Sequence, residues 1–167
     1  MNYKEKLRKI TIGAMLTALA IIIPIQFSFL RIWIPPFSAT LASHVPMFIS
    51  MFISPGVALM VGLGSTIGFF LTAPAVVAAR AASHIAAGFL GALLIKNGKS
   101  MFTAFSLTLP VHAIIEALVV IPFGYTAYNA IVVVGIGTAI HHTIDACIAA
   151  SVIYAIKPVL KMSFAKR

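Results

Sequence analysis

Eight ionisable side chains lie inside segments of the chain that are otherwise almost continuously apolar. These eight residues, called the polar cluster below, are His44, Arg80, His84, His112, Glu116, His141, His142 and Asp145. Charge in hydrocarbon is costly, so such residues face a protein interior or a water-filled cavity and indicate a functional site. Imidazoles that donate or accept hydrogen bonds, together with carboxylates that accept them, suit the orientation of a polar ring or the transfer of protons.

The spacing of the polar cluster is helical. Three pairs lie four residues apart: Arg80 with His84, His112 with Glu116, and His141 with Asp145. Residues four apart share a face of their helix. At about 1.5 Å of rise per residue, these pairs lie in the outer half or at the midplane of their predicted helices. We therefore predict a pocket that opens outward between three helices, with His44 at a similar depth on another helix.

Composition predicts the elements that position these residues. The chain has 167 residues, of which 61% are hydrophobic and 9% are charged, and its mean hydropathy is +1.08. This excludes a soluble globular protein, and about 20 apolar residues are needed for each membrane-crossing helix. We predict an all-α membrane protein with a single domain, residues 1–167, built as one bundle of six helices. The predicted helices are residues 10–24, 37–53, 57–71, 75–95, 101–123 and 130–156.

Basic residues predict the orientation of the bundle. The net charge is +9, but the cations cluster at helix ends rather than across a folded face that would bind nucleic acid. They precede the first apolar run, occupy the loop from Lys96 to Lys99, and recur from Lys157 to Lys161, Lys166 and Arg167 at the end of the sequence. By the positive-inside rule, all three regions and both termini are cytoplasmic.

The charge balance of the polar cluster limits the ligand. With neutral histidines it contains one cation and two carboxylates, which favours a neutral or weakly basic heterocycle over a strong anion. Arg80 leaves open a clamp for a single carboxylate. Trp33, Tyr125 and Tyr128 lie in predicted outer loops, where they either cover a flat ligand or form an ordinary interfacial aromatic belt. The polar cluster itself either binds a ligand or only holds the helices together.

A metal site is not expected. Neighbouring helical residues such as His141 and His142 point about 100° apart and cannot easily bind one ion together with Asp145. The sequence has no His-Glu-x-x-His motif, and Cys147 is its single cysteine. No cofactor is predicted either.

The stretch from Phe37 to Phe70, FSATLASHVPMFISMFISPGVALMVGLGSTIGFF, together with Arg80-x-x-x-His84, resembles a family of membrane proteins. These are the substrate-binding S components of energy-coupling factor (ECF) transporters, which import vitamins. The size of the chain and its six predicted helices also fit. The stretch is most similar to members assigned to hydroxymethylpyrimidine, a thiamine precursor, with niacin and pyridoxine members close by.

The resemblance implies high-affinity vitamin binding from outside, in a pocket made by the last three helices and closed by the loop from Arg31 to Pro36. It implies a bacterial plasma-membrane protein that is not an enzyme and that docks on a transmembrane coupling subunit driven by two cytoplasmic ATPase subunits. The absence of a Gly-x-x-x-x-Gly-Lys-Ser/Thr loop agrees with hydrolysis by partners. In this family the first helix presents Ala-x-x-x-Ala to the coupling subunit, and Ala14 and Ala18 match.

The resemblance and the cluster together give a list of candidate residues. The candidates for substrate binding are Arg80, His84, His112, Glu116, His141, His142, Asp145, His44, Trp33 and Tyr125. The excess of carboxylate favours hydroxymethylpyrimidine, with pyridoxine or niacin as alternatives. Two other classes stay open: an intramembrane enzyme using Asp145 or Glu116 with histidine, and a proton-coupled transporter acting alone.

Overall fold

The computed structural model describes residues 3–160, and the side chains of residues 3–157. The elements in chain order are α1 (Tyr3–Gln26), β1 (Arg31–Ile34), β2 (Phe37–Thr40), α2 (Val45–Ser50), α3 (Pro55–Thr72), α4 (Ala75–Ala81), α5 (Ser83–Lys96), α6 (Met101–Val119) and α7 (Gly137–Leu160). Single 3₁₀ turns at Ser28–Leu30 and Ile121–Phe123 follow α1 and α6, and a π-helical segment, Asn129–Ile136, leads directly into α7.

Five of the helical segments are long and apolar enough to cross a membrane. They are Tyr3–Gln26, Pro55–Thr72, Ala75–Lys96, Met101–Phe123 and Asn129–Lys157, with mean hydropathies between 1.5 and 2.0. The segment Ala75–Lys96 comprises α4 and α5, which meet at Ala82. The prediction of an all-α membrane protein is therefore confirmed in its class. The predicted basic tail residues Lys161, Lys166 and Arg167 lie outside the described part of the chain.

The second predicted helix, residues 37–53, is not one continuous helix. Its first four residues form β2, which pairs antiparallel with β1 in the register Arg31 with Thr40 and Ile34 with Phe37. The pair of prolines at residues 35 and 36 forms the turn between the strands, where a helix cannot continue. Only α2, six residues long, follows. All four β2 residues are buried, so the hairpin is folded against the bundle rather than extended above it.

Close packing of α1 against α3 depends on Gly64 and Gly68, which lie four residues apart on α3. A Cβ atom added at Gly68 would lie 2.8 Å from the carbonyl oxygen of Ile21, and one at Gly64 would lie 2.7 Å from Thr17. On another face of α3, a Cβ atom at Gly62 would lie 2.7 Å from the backbone of Ile85 in α5. Small residues therefore let the backbones of α1, α3 and α5 approach closely, as in other membrane bundles.

The apolar core has two parts. One contains Phe48 and Val61, and the other contains Phe37 and Phe69. His44 lies in the chain between Phe37 of the second part and Phe48 of the first. The short connection between β2 and α2 therefore carries a polar side chain between the two parts of the core.

Candidate functional site

All eight members of the polar cluster are buried and lie in one connected region. Their exposed fractions run from 0% for His112 and Asp145 to 9% for His141. The side chains come from five elements: His44 precedes α2, Arg80 is in α4, His84 in α5, His112 and Glu116 in α6, and the other three in α7. The sequence prediction that these residues converge is correct in geometry, and the hairpin joins the helices in forming the region.

Arg80 pairs with Glu116 across α4 and α6. Its Nη2 lies 2.6 Å and its Nε 3.1 Å from Oε2 of Glu116, an oxygen that also accepts a hydrogen bond from the hydroxyl of Thr138. The same guanidinium donates to the carbonyl oxygens of Pro36 at 2.9 Å and of Ser38 at 3.4 Å. Arg80 therefore holds the hairpin as well as its carboxylate partner. This charge-assisted arrangement is among the stronger ones that proteins form.

Asp145 holds the connection between β2 and α2. Its two oxygens accept the backbone N–H groups of Ala42 at 2.8 Å and of His44 at 3.0 Å. Oδ2 also lies 3.1 Å from Nδ1 of His44 and 3.1 Å from Nε2 of His141. Ala42 has a positive φ of 66°, which an L-residue rarely adopts. The carboxylate at Asp145 therefore fixes a tight backbone turn and orients two imidazoles.

Hydrogen-bond partners assign the tautomers of His44 and His84. Nδ1 of His44 faces a carboxylate and so carries the hydrogen, which leaves Nε2 of His44 as an acceptor. Nε2 of His84 lies 3.0 Å from that atom and donates to it, and Nδ1 of His84 then accepts from the hydroxyl of Ser65 at 2.7 Å. Hydrogen bonds therefore join Ser65 in α3 to His84 and His44, and a contact of 3.1 Å between Nδ1 of His44 and Oδ2 extends this series to Asp145 in α7. These assignments follow from the partners, because each neutral imidazole has one donor and one acceptor.

The pair His112 and His142 joins α6 to α7. Nε2 of His142 donates to the carbonyl oxygen of Phe105 at 3.1 Å, so its Nδ1 is an acceptor for Nδ1–H of His112, 3.1 Å away. Nε2 of His112 lies 3.3 Å from Oε1 of Glu116 but makes no hydrogen bond with it. Nε2 of His112 is therefore a buried imidazole nitrogen without a hydrogen-bonded partner among the described residues.

A small polar cavity lies beneath the hairpin. Its volume is about 20 Å³, and its lining residues are Ser38, Thr40, Ser43, His44, Phe69, Val77, Arg80, Ala81, His84, Glu116 and His141. This space suits roughly one water molecule. The hydroxyl oxygens of Ser38 and Ser43 are buried and have no hydrogen-bonded partner among the described residues. Larger grooves, such as one of about 410 Å³ between the hairpin and α7, are lined almost entirely by apolar side chains.

The remaining predicted residues are placed differently. His112, His142 and Asp145 stand behind the cavity wall and bond to residues that line it or to one another. Trp33 is 49% exposed in β1, and Tyr125 packs against the second part of the apolar core. Neither of these two aromatic residues lines the cavity, so contact with a molecule there would require the outer segments to move.

Arg31, the cation predicted in an outer loop, anchors the other end of the hairpin. Its guanidinium donates to the carbonyl oxygens of Pro24 at 2.9 Å and Thr72 at 3.3 Å and to the hydroxyl of Thr40 at 3.1 Å. Partial burial lowers the pKa of the Arg31 side chain, which nevertheless stays charged at physiological pH. The hairpin is thus fixed to α1 and α3 as well as to Arg80.

The sequence reasoning missed five hydroxyl residues of the site: Ser38, Thr40, Ser43, Ser65 and Thr138. Hydroxyls are common in membrane helices, and these five have no shared spacing along the sequence. A signal existed only for Ser38, Thr40 and Ser43, which lie between the Pro35-Pro36 pair and Pro46 and close to His44.

The predicted docking residues lie on the outside of the bundle. Ala14 and Ala18 are exposed on α1, whereas Gly13, Leu16 and Ala20 are buried against the rest of the protein. The alanine strip is therefore available to lipid or to another protein.

The helices and the buried polar region define a multi-pass membrane protein with a small polar cavity. Among curated proteins, the niacin transporter NiaX of Lactococcus lactis subsp. cremoris (strain MG1363) is 34% identical over 159 residues, which cover 85% of this chain and 71% of the relative. The chain belongs to the family of this relative, the vitamin-uptake S components of ECF transporters. It is a multi-pass protein of the bacterial plasma membrane. No family model matches the chain, and no solved structure matches it.

Proposed function

We propose that this chain binds niacin as the high-affinity substrate subunit of an ATP-driven ECF importer. The observation that carries the proposal is the 34% identity to a niacin transporter across most of the chain. The sequence-based preference for hydroxymethylpyrimidine has no support from that relative, so this compound and pyridoxine become the alternatives.

The geometry supports a small flat ligand. The cavity wall offers the ring of His141 and the hydroxyls of Ser38 and Ser43, which have no hydrogen-bonded partner in the described part of the chain, while Phe69 and Val77 supply apolar surface. Polar groups of this kind orient a ligand while apolar walls contact its ring faces. Because the cavity holds only about one water molecule, a vitamin enters when the hairpin moves away.

Binding assays on the purified chain test the substrate. Nicotinate should bind more tightly than hydroxymethylpyrimidine or pyridoxine, measured by tryptophan fluorescence or calorimetry. Replacing Ser43→Ala should weaken binding by up to about tenfold, because one hydrogen bond between neutral partners contributes about 0.5–1.5 kcal/mol. Ser106→Ala serves as a matched control, since this serine lines an apolar groove between α6 and α7. Tighter binding of hydroxymethylpyrimidine than of nicotinate would refute the niacin assignment.

The coupling subunit docks on the alanine strip of α1 in this proposal, with both termini in the cytoplasm. Ala18→Trp adds a large side chain to an exposed, flat surface and should abolish uptake by cells while leaving vitamin binding unchanged. Met15→Trp is the control, because Met15 is exposed on α1 but is already large. Loss of vitamin binding in Ala18→Trp would instead place this face against the cavity. Reporter fusions to each end of the chain check the orientation.

Proton-coupled transport by this protein alone is the competing function, favoured by the series of polar contacts from Ser65 through His84 and His44 to Asp145, because such a series can relay protons. Uptake in vesicles that contain only this chain, with collapse on adding a proton uncoupler, would establish that function. The present proposal expects no uptake without the coupling subunit and the ATPases.

A further inference from the structure

We propose that His44, His84 and His112 bind a late first-row divalent transition-metal ion, Zn²⁺ in the simplest case, which supplies the positive charge that binds the vitamin carboxylate. Binding of the ion does not depend on the niacin assignment, whereas its role in binding the vitamin carboxylate rests on that assignment. One ring nitrogen from each of these histidines lies within 4.8 Å of the others, and the rings are 2%, 2% and 0% exposed.

The spacing of the imidazoles fits an ion. Zinc binds histidine nitrogen at about 2.0–2.1 Å in a tetrahedral site, which places two ligand nitrogens about 3.3 Å apart. The Nε2 atoms of His44 and His84 are 3.0 Å apart, and the whole group of three nitrogens spans no more than 4.8 Å. Small ring rotations are therefore enough to reach the ligand geometry.

Each histidine also has a partner on its other nitrogen. Nδ1 of His44 lies 3.1 Å from Asp145, Nδ1 of His84 lies 2.7 Å from the hydroxyl of Ser65, and Nδ1 of His112 lies 3.1 Å from His142. Metal-bound imidazoles almost always have such an outer partner, which fixes the tautomer and orients the ring.

The protons already suit metal binding at two of the three ligands. His44 and His112 present Nε2 without a hydrogen, as assigned from their partners. His84 reaches the same form when its hydrogen moves from Nε2 to Nδ1. Nδ1–H of His84 then donates a hydrogen bond to the hydroxyl oxygen of Ser65. The net charge of the imidazoles is unchanged by this step. Nε2 of His112 is buried and has no hydrogen-bonded partner within residues 3–157, and a bound ion would give it one direct contact.

Charge explains what the ion contributes. With neutral histidines, Arg80, Glu116 and Asp145 leave one net negative charge in the buried region, which repels a carboxylate. A divalent ion reverses that balance to one positive charge, and nicotinate then makes the region neutral. Three protein ligands leave the fourth position of a tetrahedral ion open, as in catalytic zinc sites. His44 and His84 line the cavity, so that position is accessible to a ligand there.

The competing set is His44, His141 and Asp145, whose ligand atoms also lie within 4.8 Å of one another. There the carboxylate already accepts hydrogen bonds from backbone N–H groups and lies 3.1 Å from both imidazoles, so its close contacts are explained without an ion. Nδ1 of His44 in this set and Nε2 of His112 in the three-histidine set both have no hydrogen-bonded partner among the described residues, so the sets differ in the carboxylate, which is already occupied by two backbone N–H groups.

Calorimetry with Zn²⁺ on the full chain, purified in detergent and stripped with EDTA, tests the site. One ion should bind per chain. His84→Gln should weaken binding by about 100-fold or more, whereas the matched variant His141→Gln, in the competing set only, should change it by less than about tenfold. X-ray absorption of the Zn²⁺-loaded wild-type protein should show three imidazole nitrogens at about 2.0–2.1 Å, a result independent of how the variants fold.

Several outcomes would overturn the metal site. These are no Zn²⁺ binding, a spectrum without three imidazole ligands, and loss of binding in His141→Gln but not in His84→Gln.

Nicotinate titrations separate this inference from the proposed function. Zn²⁺ should tighten nicotinate binding by about tenfold or more. If the stripped protein binds nicotinate equally well and takes up a proton, an imidazolium supplies the charge and the proposed role of the ion is wrong, while the niacin assignment stands. If Zn²⁺ binds as described but nicotinate binds in neither form, the niacin assignment fails and the metal site stands.

Discussion

The ion pair between Arg80 and Glu116 gives the sharpest test of the structure. At 2.6 Å and an effective dielectric constant of about 20, their gross attraction is about 6 kcal/mol, most of which offsets the desolvation of both groups. Removing one partner leaves the other charge buried, because Arg80 is 3% and Glu116 4% exposed. Glu116→Gln should therefore lower the free energy of unfolding by about 3–5 kcal/mol, and Arg80→Gln by a similar amount.

The double variant should cost less than the two single variants together. Once both charges are absent, neither is left without a partner, so we expect a coupling free energy of at least about 2 kcal/mol. Reversible unfolding in mixed detergent micelles, followed by circular dichroism, measures all four proteins of the cycle. Glu5→Gln is the matched control, because Glu5 is exposed near the start of α1 and its change should stay within about 0.5 kcal/mol. Additive effects of the two single variants would refute the reasoning, since they would mean that Arg80 and Glu116 do not stabilise each other.

Three further changes separate packing, hydrogen bonding and anchoring. Gly68→Ala should destabilise by about 1–3 kcal/mol in the same unfolding assay, because the added methyl would overlap a backbone carbonyl of α1, whereas Gly56→Ala meets nothing within 4 Å and should be nearly neutral. Ser65→Ala should cost about 1–3 kcal/mol by leaving a buried imidazole nitrogen unpaired, whereas Ser43→Ala, which breaks no described bond, should cost less than about 0.5 kcal/mol. Arg31→Gln should speed amide hydrogen exchange in the hairpin, because the hairpin loses its bonds to α1 and α3; unchanged exchange would contradict the anchoring described above.

Hydropathy and helical spacing predicted much of this structure. Long apolar runs in the sequence predicted the five long helices. The first of them, α1, begins at Tyr3 rather than near residue 10, because its first turns contain basic residues and precede the apolar run. The spacing of His112 with Glu116 and of His141 with Asp145 predicted contacts that the structure contains, at 3.3 and 3.1 Å. Helical period fixes neighbours on one helix without reference to the rest of the fold.

Contacts between elements were harder to predict. Spacing along the sequence does not identify Glu116 rather than Asp145 as the partner of Arg80, since the rotation of one helix against another depends on packing across the whole bundle. The hairpin was hidden because each strand has only four residues and Phe37–Thr40 leads into the apolar stretch predicted as a membrane helix. Because the hairpin places His44 at the centre of the bundle, the grouping of His44 with His84 and His112 was hidden as well. The histidines that adjoin in the sequence, His141 and His142, are a different set.

Arg80 donates to Glu116 and to two carbonyl oxygens of the hairpin at the same time. A guanidinium has a fixed number of N–H groups, so a molecule that takes one of them from a hairpin carbonyl loosens the hairpin as it binds. Filling the cavity and releasing its cover would then be one event rather than two. In such a protein the same few hydrogen bonds would set both the rate of vitamin entry and the rate of vitamin escape. A change that strengthens the bonds between Arg80 and the hairpin would slow both rates. The affinity depends on the ratio of these rates and would not change by the same factor.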